Sequence, residues 1–363
     1  MILVDGHLDI AFNHACWKRD PRRSALHVRR EEGGDADQSL RGHCMVGLEE
    51  LRRGRVAVVF GTIFVPPRVE WAALGGNPDI AYENAAEAEA LGGAQLELYR
   101  RLDEERRGFR LVLDREGLDQ VLATWEGDAP GDVGIVVLME GADPIVAPGA
   151  ADEWFDRGVR LVGLSWKRTR YAGGTGAPGP LTADGRALVP RLAEAGIVLD
   201  LSHAAEESFF EALDLSDAPV VVSHANPRAL CDGDRQLSDD MIREIAARRG
   251  VIGVVPFNAM IRADWRTTGK PEVPLSRVAE AIEHVAQVAG GVEFVAIGSD
   301  LDGGFGAEST PKGLDTIADL PRIGDALSDR GLSDDGIEAV LGGNWLRLLR
   351  RTLPETVASR RDA

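Results

Sequence analysis

The chain has 363 residues, 44% of them hydrophobic, and a formal net charge of −18. No basic patch balances this charge, which argues against nucleic acid or an anionic membrane surface as the main partner. Its three cysteines lack metal-knuckle spacing, and we find neither a signal-peptide pattern nor an apolar run long enough to span a bilayer, so we expect a reduced, cytoplasmic protein.

Apolar segments of strand length alternate with helical segments along the chain. The strand candidates are rich in β-branched residues and almost continuously apolar, which is typical of parallel strands covered on both faces. They lie at residues 2–4, 56–64, 134–139, 160–165, 196–201, 219–223, 251–256 and 294–299. Eight strands alternating with helices predict a single (β/α)8 TIM barrel domain over residues 1–363, with additional C-terminal helices.

Helical patterns with apolar residues three and four positions apart fill the gaps between the strands. They cover residues 79–107, 188–194, 206–213, 239–248, 274–289 and 314–328, and closing helices follow at 334–341 and 344–352. Residues 172–180 are rich in Gly and Pro and are predicted to form a loop after the fourth strand. Because a TIM barrel carries its reactive groups at the carboxyl ends of the strands, the fold prediction also predicts where the site lies.

Polar side chains follow these predicted strands at the ends where a site is expected. His7 and Asp9 end the first strand as a His-x-Asp pair, and residues two apart in an extended chain point to the same side. The residues that follow later strands are Glu140, His203, His224 and Asp300. Imidazoles and carboxylates without thiolates suit Zn²⁺, Mn²⁺ or Co²⁺. One carboxylate can bridge two such ions about 3.5–4 Å apart, which can hold a hydroxide and polarise a carbonyl, while the remaining acid moves the proton.

These motifs resemble the membrane (renal) dipeptidase family of zinc metallopeptidases, which are amidohydrolase-like TIM barrels. The matching stretches are DGHLD at 5–9, MEGA at 139–142, LDLSH at 199–203, VVVSHAN at 220–226, GSDLDG at 298–303 and GGNW at 342–345. They run through the whole chain in order. The resemblance implies two Zn²⁺ per chain, with His7 and Asp9 on one ion, His203 and His224 on the other, and Glu140 bridging both.

The resemblance also implies roles for residues beside the metals. The proton shuttle would be Asp300 or Asp302, and we favour Asp300 because it directly ends the strand. Arg235 would bind the terminal carboxylate of the substrate through its planar guanidinium. Where the family has a histidine that stabilises the oxyanion, this chain has Trp166, which would line the pocket and contact the substrate. The side chains nearby that could supply the missing donor are Lys167, Arg168, Arg170 and Tyr171.

The leading hypothesis is a binuclear zinc-dependent dipeptidase that hydrolyses dipeptides through a metal-bridging hydroxide. Trp166 leaves open a related metal-dependent amidohydrolase acting on N-acyl amino acids, lactams or lactones. A non-catalytic metal-binding scaffold is a third alternative, which the complete set of ligand candidates disfavours. The expected partner is a dipeptide or similar small amide, without nucleic acid or membrane, and the resemblance implies a homodimer.

Overall fold

The computed structural model describes residues 1–33, 40–127, 129 and 131–356. Within these ranges, a strand is present at each of the eight predicted positions, and we label these strands β1 to β8. Their bounds are β1 Leu3–Leu8, β2 Val56–Phe64, β3 Val133–Glu140, β4 Val159–Gly163, β5 Val198–Asp200, β6 Val220–Val221, β7 Ile252–Val254 and β8 Val295–Ile297. The α/β fold with a parallel barrel sheet is therefore confirmed.

The barrel strands are neighbours in chain order, as repeated βα units produce. Parallel ladders join β1 through to β6 and, separately, β7 to β8. Strand β6 meets β7 at the bridge between Val222 and Ile252. Strand β8 returns to β1 where the N–H of Asp300 donates to the carbonyl of His7 at 3.1 Å. These last two seams are held by few backbone hydrogen bonds, so the barrel sheet is not one continuous ladder.

Further strands lie outside the barrel. Phe109–Leu111 pairs with the start of β3, and Ala172–Gly174 forms an antiparallel hairpin with Ala177–Leu181. The hairpin shows that the loop predicted at 172–180 was wrong. A Cβ on Gly173 would lie 2.6 Å from the backbone nitrogen and oxygen of Gly179, so glycine permits this close pairing.

Helices lie between the strands, as predicted. The α-helices are Ile10–Trp17, Ala25–Glu32, Leu48–Arg53, Arg68–Ala73, Ala85–Glu104, Arg115–Ala123, Ala151–Arg157, Ala183–Ala195, Glu206–Asp214, Asp239–Ala247, Asn258–Ile261, Trp265–Thr268, Ser276–Ala289, Arg322–Ser328, Asp334–Glu338 and Asn344–Thr352. Short 3-10 turns are Pro78–Ile80, Pro148–Ala150, Lys270–Glu272, Val292–Phe294, Ala307–Ser309 and Ile317–Asp319, and a π turn occupies Ala339–Gly343. No helix in the described ranges is long and apolar enough to cross a membrane.

The C-terminal helix packs against the barrel through the buried side chain of Trp345. Trp345 is fully buried, and its ring lies 4.9 Å from the ring of Phe60 on β2. Its indole N–H donates to the carbonyl of Ile297 on β8 at 2.8 Å. The same ring occupies the space beside Gly6 on β1, where a Cβ would come within 2.6 Å of it. Trp345 therefore packs against three barrel strands at once, including the strand that carries His7.

Candidate metal centre

The carboxyl ends of five barrel strands, β1, β3, β5, β6 and β8, bring the predicted polar side chains together. His7 lies within β1, Asp9 follows it, and Glu140 is the last residue of β3. His203 and Asp300 follow β5 and β8 with φ of +63° and +55°, in the left-handed region that residues other than glycine rarely adopt. Such strained backbone is concentrated at functional sites, where surrounding packing holds it in place.

Glu140 lies at the centre of the cluster and contacts histidines on both sides. Its Oε2 is 3.0 Å from Nε2 of His7, and its Oε1 is 3.2 Å from Nε2 of His203. Asp9 and Asp300 each place an Oδ1 within 3.8–3.9 Å of the same His7 nitrogen. Nε2 of His224 lies 3.0 Å from that of His203. The side chains thus form two adjacent groups with Glu140 shared between them.

The donor atoms fit divalent metal ions. Three overlapping groups have ligand atoms within 4.8 Å of one another, and they are His7–Asp9–Glu140, Glu140–His203–His224 and His7–His224–Asp300. Within the described part of the chain, the buried Nε2 of His7 makes no hydrogen bond, which is costly unless another ligand occupies it. Nitrogen and carboxylate donors without sulfur match a hard-to-borderline ion.

Charges within the cluster set its protonation. Burial opposes the charged form of His7, but the carboxylates of Glu140, Asp9 and Asp300 together outweigh burial and raise the pKa of His7 to about 9. Burial likewise opposes ionisation of Glu140, while His7 and His203 hold its pKa below the usual range. Burial, together with nearby Arg235, lowers the pKa of His203 to about 4, and burial lowers that of His224 well below normal. These two imidazoles are therefore neutral at pH 7, the form that binds metal.

The two aspartates of the 298–303 stretch have different surroundings. Asp300 joins the cluster beside His7. Asp302 instead accepts the backbone N–H groups of Met45 and Val46 at 2.8 and 3.1 Å, and it lies 3.6 Å from the guanidinium of Arg19. Of the two candidates left open by the sequence, only Asp300 faces the other site residues.

Arg235 lies beside the cluster. Its Nη2 donates to the carbonyl of His224 at 2.7 Å. Its Nη1 is buried and has no hydrogen-bond partner among the residues that the structure describes. Burial lowers the pKa of the guanidinium, although the carboxylates of Asp300 and Glu140 oppose this effect. The arginine is therefore anchored through Nη2, and its Nη1 is available to an anionic ligand.

Trp166 lines an open pocket of about 610 Å³ that reaches the cluster. Its ring packs edge-on against Phe64 with 5.2 Å between ring centroids, and the side chains of Phe12 and Trp71 continue this apolar surface. The metal-ligand candidates Asp9, Glu140, His203 and His224 line the same pocket, together with Asp300. The pocket therefore has one apolar side and one polar side.

Most of the alternative donors after β4 are engaged elsewhere. Arg168 donates to the carbonyl of Pro178, Arg170 donates to that of Val146, and the Tyr171 hydroxyl donates to that of Ile145. The ammonium of Lys167 lies 5.5 Å from the centroid of the Trp166 ring. Of the four alternative donors, Lys167 is therefore the one whose side chain lies beside Trp166, a residue that lines the pocket.

Two residues that contact the histidines, and a third that orients one of them, lie outside the set of site residues predicted from the sequence. Thr175, in the turn of the hairpin, has its hydroxyl 2.9 Å from Nδ1 of His203. Ser223 contacts the ring nitrogens of two histidines, and Asp200 accepts its hydroxyl. The available signal was position alone, since Ser223 directly precedes His224.

The other four of the seven histidines lie outside the cluster. Each contacts a hydrogen-bond partner outside the cluster. The pairs are His14 with the carbonyl of Arg19, His27 with Glu31, His43 with Glu308, and His284 with Asp239.

A parallel barrel with imidazoles and carboxylates gathered at its strand ends defines the class of amidohydrolase-like, metal-dependent hydrolases. A family model described as membrane dipeptidase (peptidase family M19) matches residues 1–361. The chain belongs to this family and is a metallo-dipeptidase, as the sequence motifs predicted.

Individual relatives agree with the family. The chain is 29% identical to dipeptidase verJ of Clonostachys rogersoniana over 353 residues, which cover 96% of this chain and 83% of the relative. It is 27% identical to dipeptidase aclJ of Aspergillus oryzae over 355 residues, with coverage of 96% and 77%. A metallopeptidase from Rhodobacter sphaeroides, solved with a phosphinate mimic of the dipeptide L-Ala-D-Ala, has a TM-score of 0.77 at 25% identity, over 97% of this chain and 99% of that one.

Proposed function

We propose that this protein is a binuclear zinc-dependent dipeptidase that hydrolyses the peptide bond of dipeptides. The observation that carries the proposal is the position of Glu140. Its two carboxylate oxygens face different histidines, His7 at 3.0 Å and His203 at 3.2 Å. A carboxylate with one oxygen directed to each half of a ligand cluster suits a bridge between two ions.

In this proposal His7 and Asp9 hold one zinc ion, and His203 and His224 hold the other. Bound zinc would supply a water made nucleophilic at neutral pH and would polarise the scissile carbonyl. Mn²⁺ and Co²⁺ suit the same nitrogen and oxygen donors.

The protein's own side chains would handle the proton and the substrate. Asp300 lies next to the ligands, and its side chain is 15% exposed, so it can take a proton from the attacking water and pass it to the leaving amine. Arg235 would bind the substrate carboxylate through its free Nη1. Trp166 would contact the apolar part of the substrate. The dipeptide mimic bound by the Rhodobacter sphaeroides relative supports a substrate of this size.

The test is to load metal-free protein with zinc, count the bound ions by mass spectrometry, and compare substrates. We expect two zinc ions per chain and hydrolysis of L,L- or L,D-dipeptides that a chelator abolishes. Because Trp166 stands in place of the family's histidine, N-acyl amino acids, lactams and lactones belong in the same screen. Hydrolysis confined to those compounds, or two bound ions without any hydrolysis, would contradict the proposal.

We also propose that the protein is a cytoplasmic homodimer. Cys16, Cys44 and Cys231 are all free thiols, which suits a reducing compartment. The dimer is supported by the family resemblance alone. Light scattering on purified protein tests it, and a monomeric mass at micromolar concentration would contradict it.

A further inference from the structure

One buried hydroxyl lies between histidines that belong to different halves of the candidate centre. Ser223 Oγ is 3.2 Å from Nδ1 of His7 and 2.9 Å from Nδ1 of His224. All three residues have at most 1% of their surface exposed. Water therefore does not compete for these contacts, and the hydroxyl serves both rings.

The hydrogen count of this group settles the direction of each bond. The Ser223 hydroxyl lies 2.6 Å from Oδ2 of Asp200, and a carboxylate only accepts hydrogen bonds. The single proton of the hydroxyl therefore goes to Asp200. Its two lone pairs remain, and they can accept one N–H from each imidazole. His7 and His224 then carry a proton on Nδ1, and His224 presents an unprotonated Nε2 to the cluster.

Asp200 and the neighbouring backbone hold the hydroxyl in place. Oδ1 of Asp200 accepts the backbone N–H and the hydroxyl of Ser202 at 3.0 and 2.8 Å, and the backbone N–H of Ser223 at 2.9 Å. A Cβ on Gly298 or Gly253 would lie 1.8 or 1.9 Å from the Ser223 carbonyl oxygen. Glycine at both positions allows the adjacent strands to close on Ser223, which cannot shift without breaking this packing.

We propose that Ser223, oriented by Asp200, is a positioning residue that holds a proton on Nδ1 of His7 and of His224, directs Nε2 of each ring to the metal, and so controls zinc binding in both halves of the centre at once. This inference rests on the proposed function, in which the two histidines hold different ions. His203 has a different partner, because its Nδ1 contacts the hydroxyl of Thr175. In the proposed centre, the Ser223 hydroxyl therefore supports ligands of both ions, whereas the Thr175 hydroxyl supports a ligand of one ion.

The main experiment compares Ser223→Ala with Thr175→Ala, with Ser202→Ala as the matched control. Ser202 Oγ donates to the same Asp200 carboxylate and lies 3.1 Å from Ser223 Oγ, but it accepts the backbone N–H of His224 at 3.1 Å instead of bonding to an imidazole. Zinc dissociation constants are measured by competition with a chromogenic chelator. Because a lost partner of a metal-bound histidine typically weakens metal binding about 10- to 100-fold, we expect that loss for both ions in S223A. We expect it for one ion in T175A and for neither ion in S202A.

A second variant keeps the serine and changes only its orientation. Asp200→Asn places an amide beside Ser223, which frees the hydroxyl proton to turn towards an imidazole and favours the wrong tautomer, as when the aspartate of a catalytic triad is replaced by asparagine. In metal-free protein, ¹⁵N shifts of His224 should report the Nδ1–H form in the wild type and a mixture in D200N. A destabilised but correctly oriented protein would not change these shifts.

The outcomes separate this inference from the proposed function. Wild-type affinity for both ions in S223A, a loss at one ion only, or an equal loss in S202A would overturn the role of Ser223. Unchanged His224 shifts in D200N would do the same. If the wild-type protein itself fails to bind two zinc ions, the proposed binuclear centre is wrong, and this result is read before any variant is compared.

Discussion

Replacing Asp300 with asparagine should stop turnover without emptying the metal centre. Asp300 Oδ1 lies 3.9 Å from Nε2 of His7, at the edge of the ligand groups, and part of its side chain reaches the pocket. Asparagine keeps the shape but cannot take up and return a proton. A positioned proton carrier typically contributes about 10²- to 10⁴-fold to the rate, or roughly 3–5 kcal/mol of the barrier, so kcat should fall by that factor.

Asp302→Asn is the matched control, since the two aspartates are neighbours in the same motif. Asp302 accepts the N–H groups of Met45 and Val46 and lies 3.6 Å from Arg19. Its role is therefore to hold the backbone at residues 45–46 against the barrel. Hydrogen bonds to charged groups contribute about 1.5–3 kcal/mol, and we expect a loss of that size in the free energy of unfolding. The kcat of the folded D302N protein should stay within a few-fold of the wild type.

The assay combines zinc content, steady-state kinetics on a dipeptide and denaturant unfolding for the three proteins. D300N that binds zinc normally and keeps more than about a tenth of the wild-type kcat would refute the reasoning, because that residual rate lies above the range for loss of a proton carrier. A collapse of kcat in D302N with normal turnover in D300N would show that the roles are reversed.

Three further predictions test the pocket and the core. Arg235→Gln should raise KM for dipeptides about 10- to 100-fold, as expected for a lost bond to a charged group, but should not affect dipeptide amides, which lack the carboxylate; equal losses for both would contradict the assignment. Trp166→Ala should raise KM about 10-fold for dipeptides with large apolar side chains and less for Gly-Gly, and a uniform change would count against an apolar contact. Trp345→Ala should lower the free energy of unfolding by about 3–5 kcal/mol in denaturant titrations, since this buried ring packs on Phe60 and donates to Ile297; a loss below about 1 kcal/mol would be inconsistent with that packing.

The barrel could be predicted because its signal is local. Nearly continuous runs of β-branched residues indicate parallel strands buried on both faces, and all eight such runs became barrel strands. The hairpin at Ala172–Gly174 and Ala177–Leu181 was missed for the opposite reason. A loop and a tight hairpin can both be rich in glycine and proline, so composition does not distinguish them. The close approach of Gly173 to Gly179 does.

The grouping of the candidate ligands could be predicted from the geometry of the barrel. A parallel barrel brings the carboxyl ends of all its strands to one rim, so polar residues that end different strands must converge there. His7, Glu140 and His203 are far apart in sequence, but at this rim the carboxylate of Glu140 lies 3.0 Å from the ring of His7 and 3.2 Å from the ring of His203. Sequence order and strand ends were sufficient to find them.

What the sequence determined by itself is therefore the barrel and the set of residues at its rim. The tertiary structure decided which way individual side chains turn. Asp302 turns to Met45, a residue more than 250 positions away in the chain, and Asp200 turns to Ser223 on the neighbouring strand. Strand alternation cannot describe these directions, because hydrogen-bond partners from other strands and left-handed turns at the strand ends determine them.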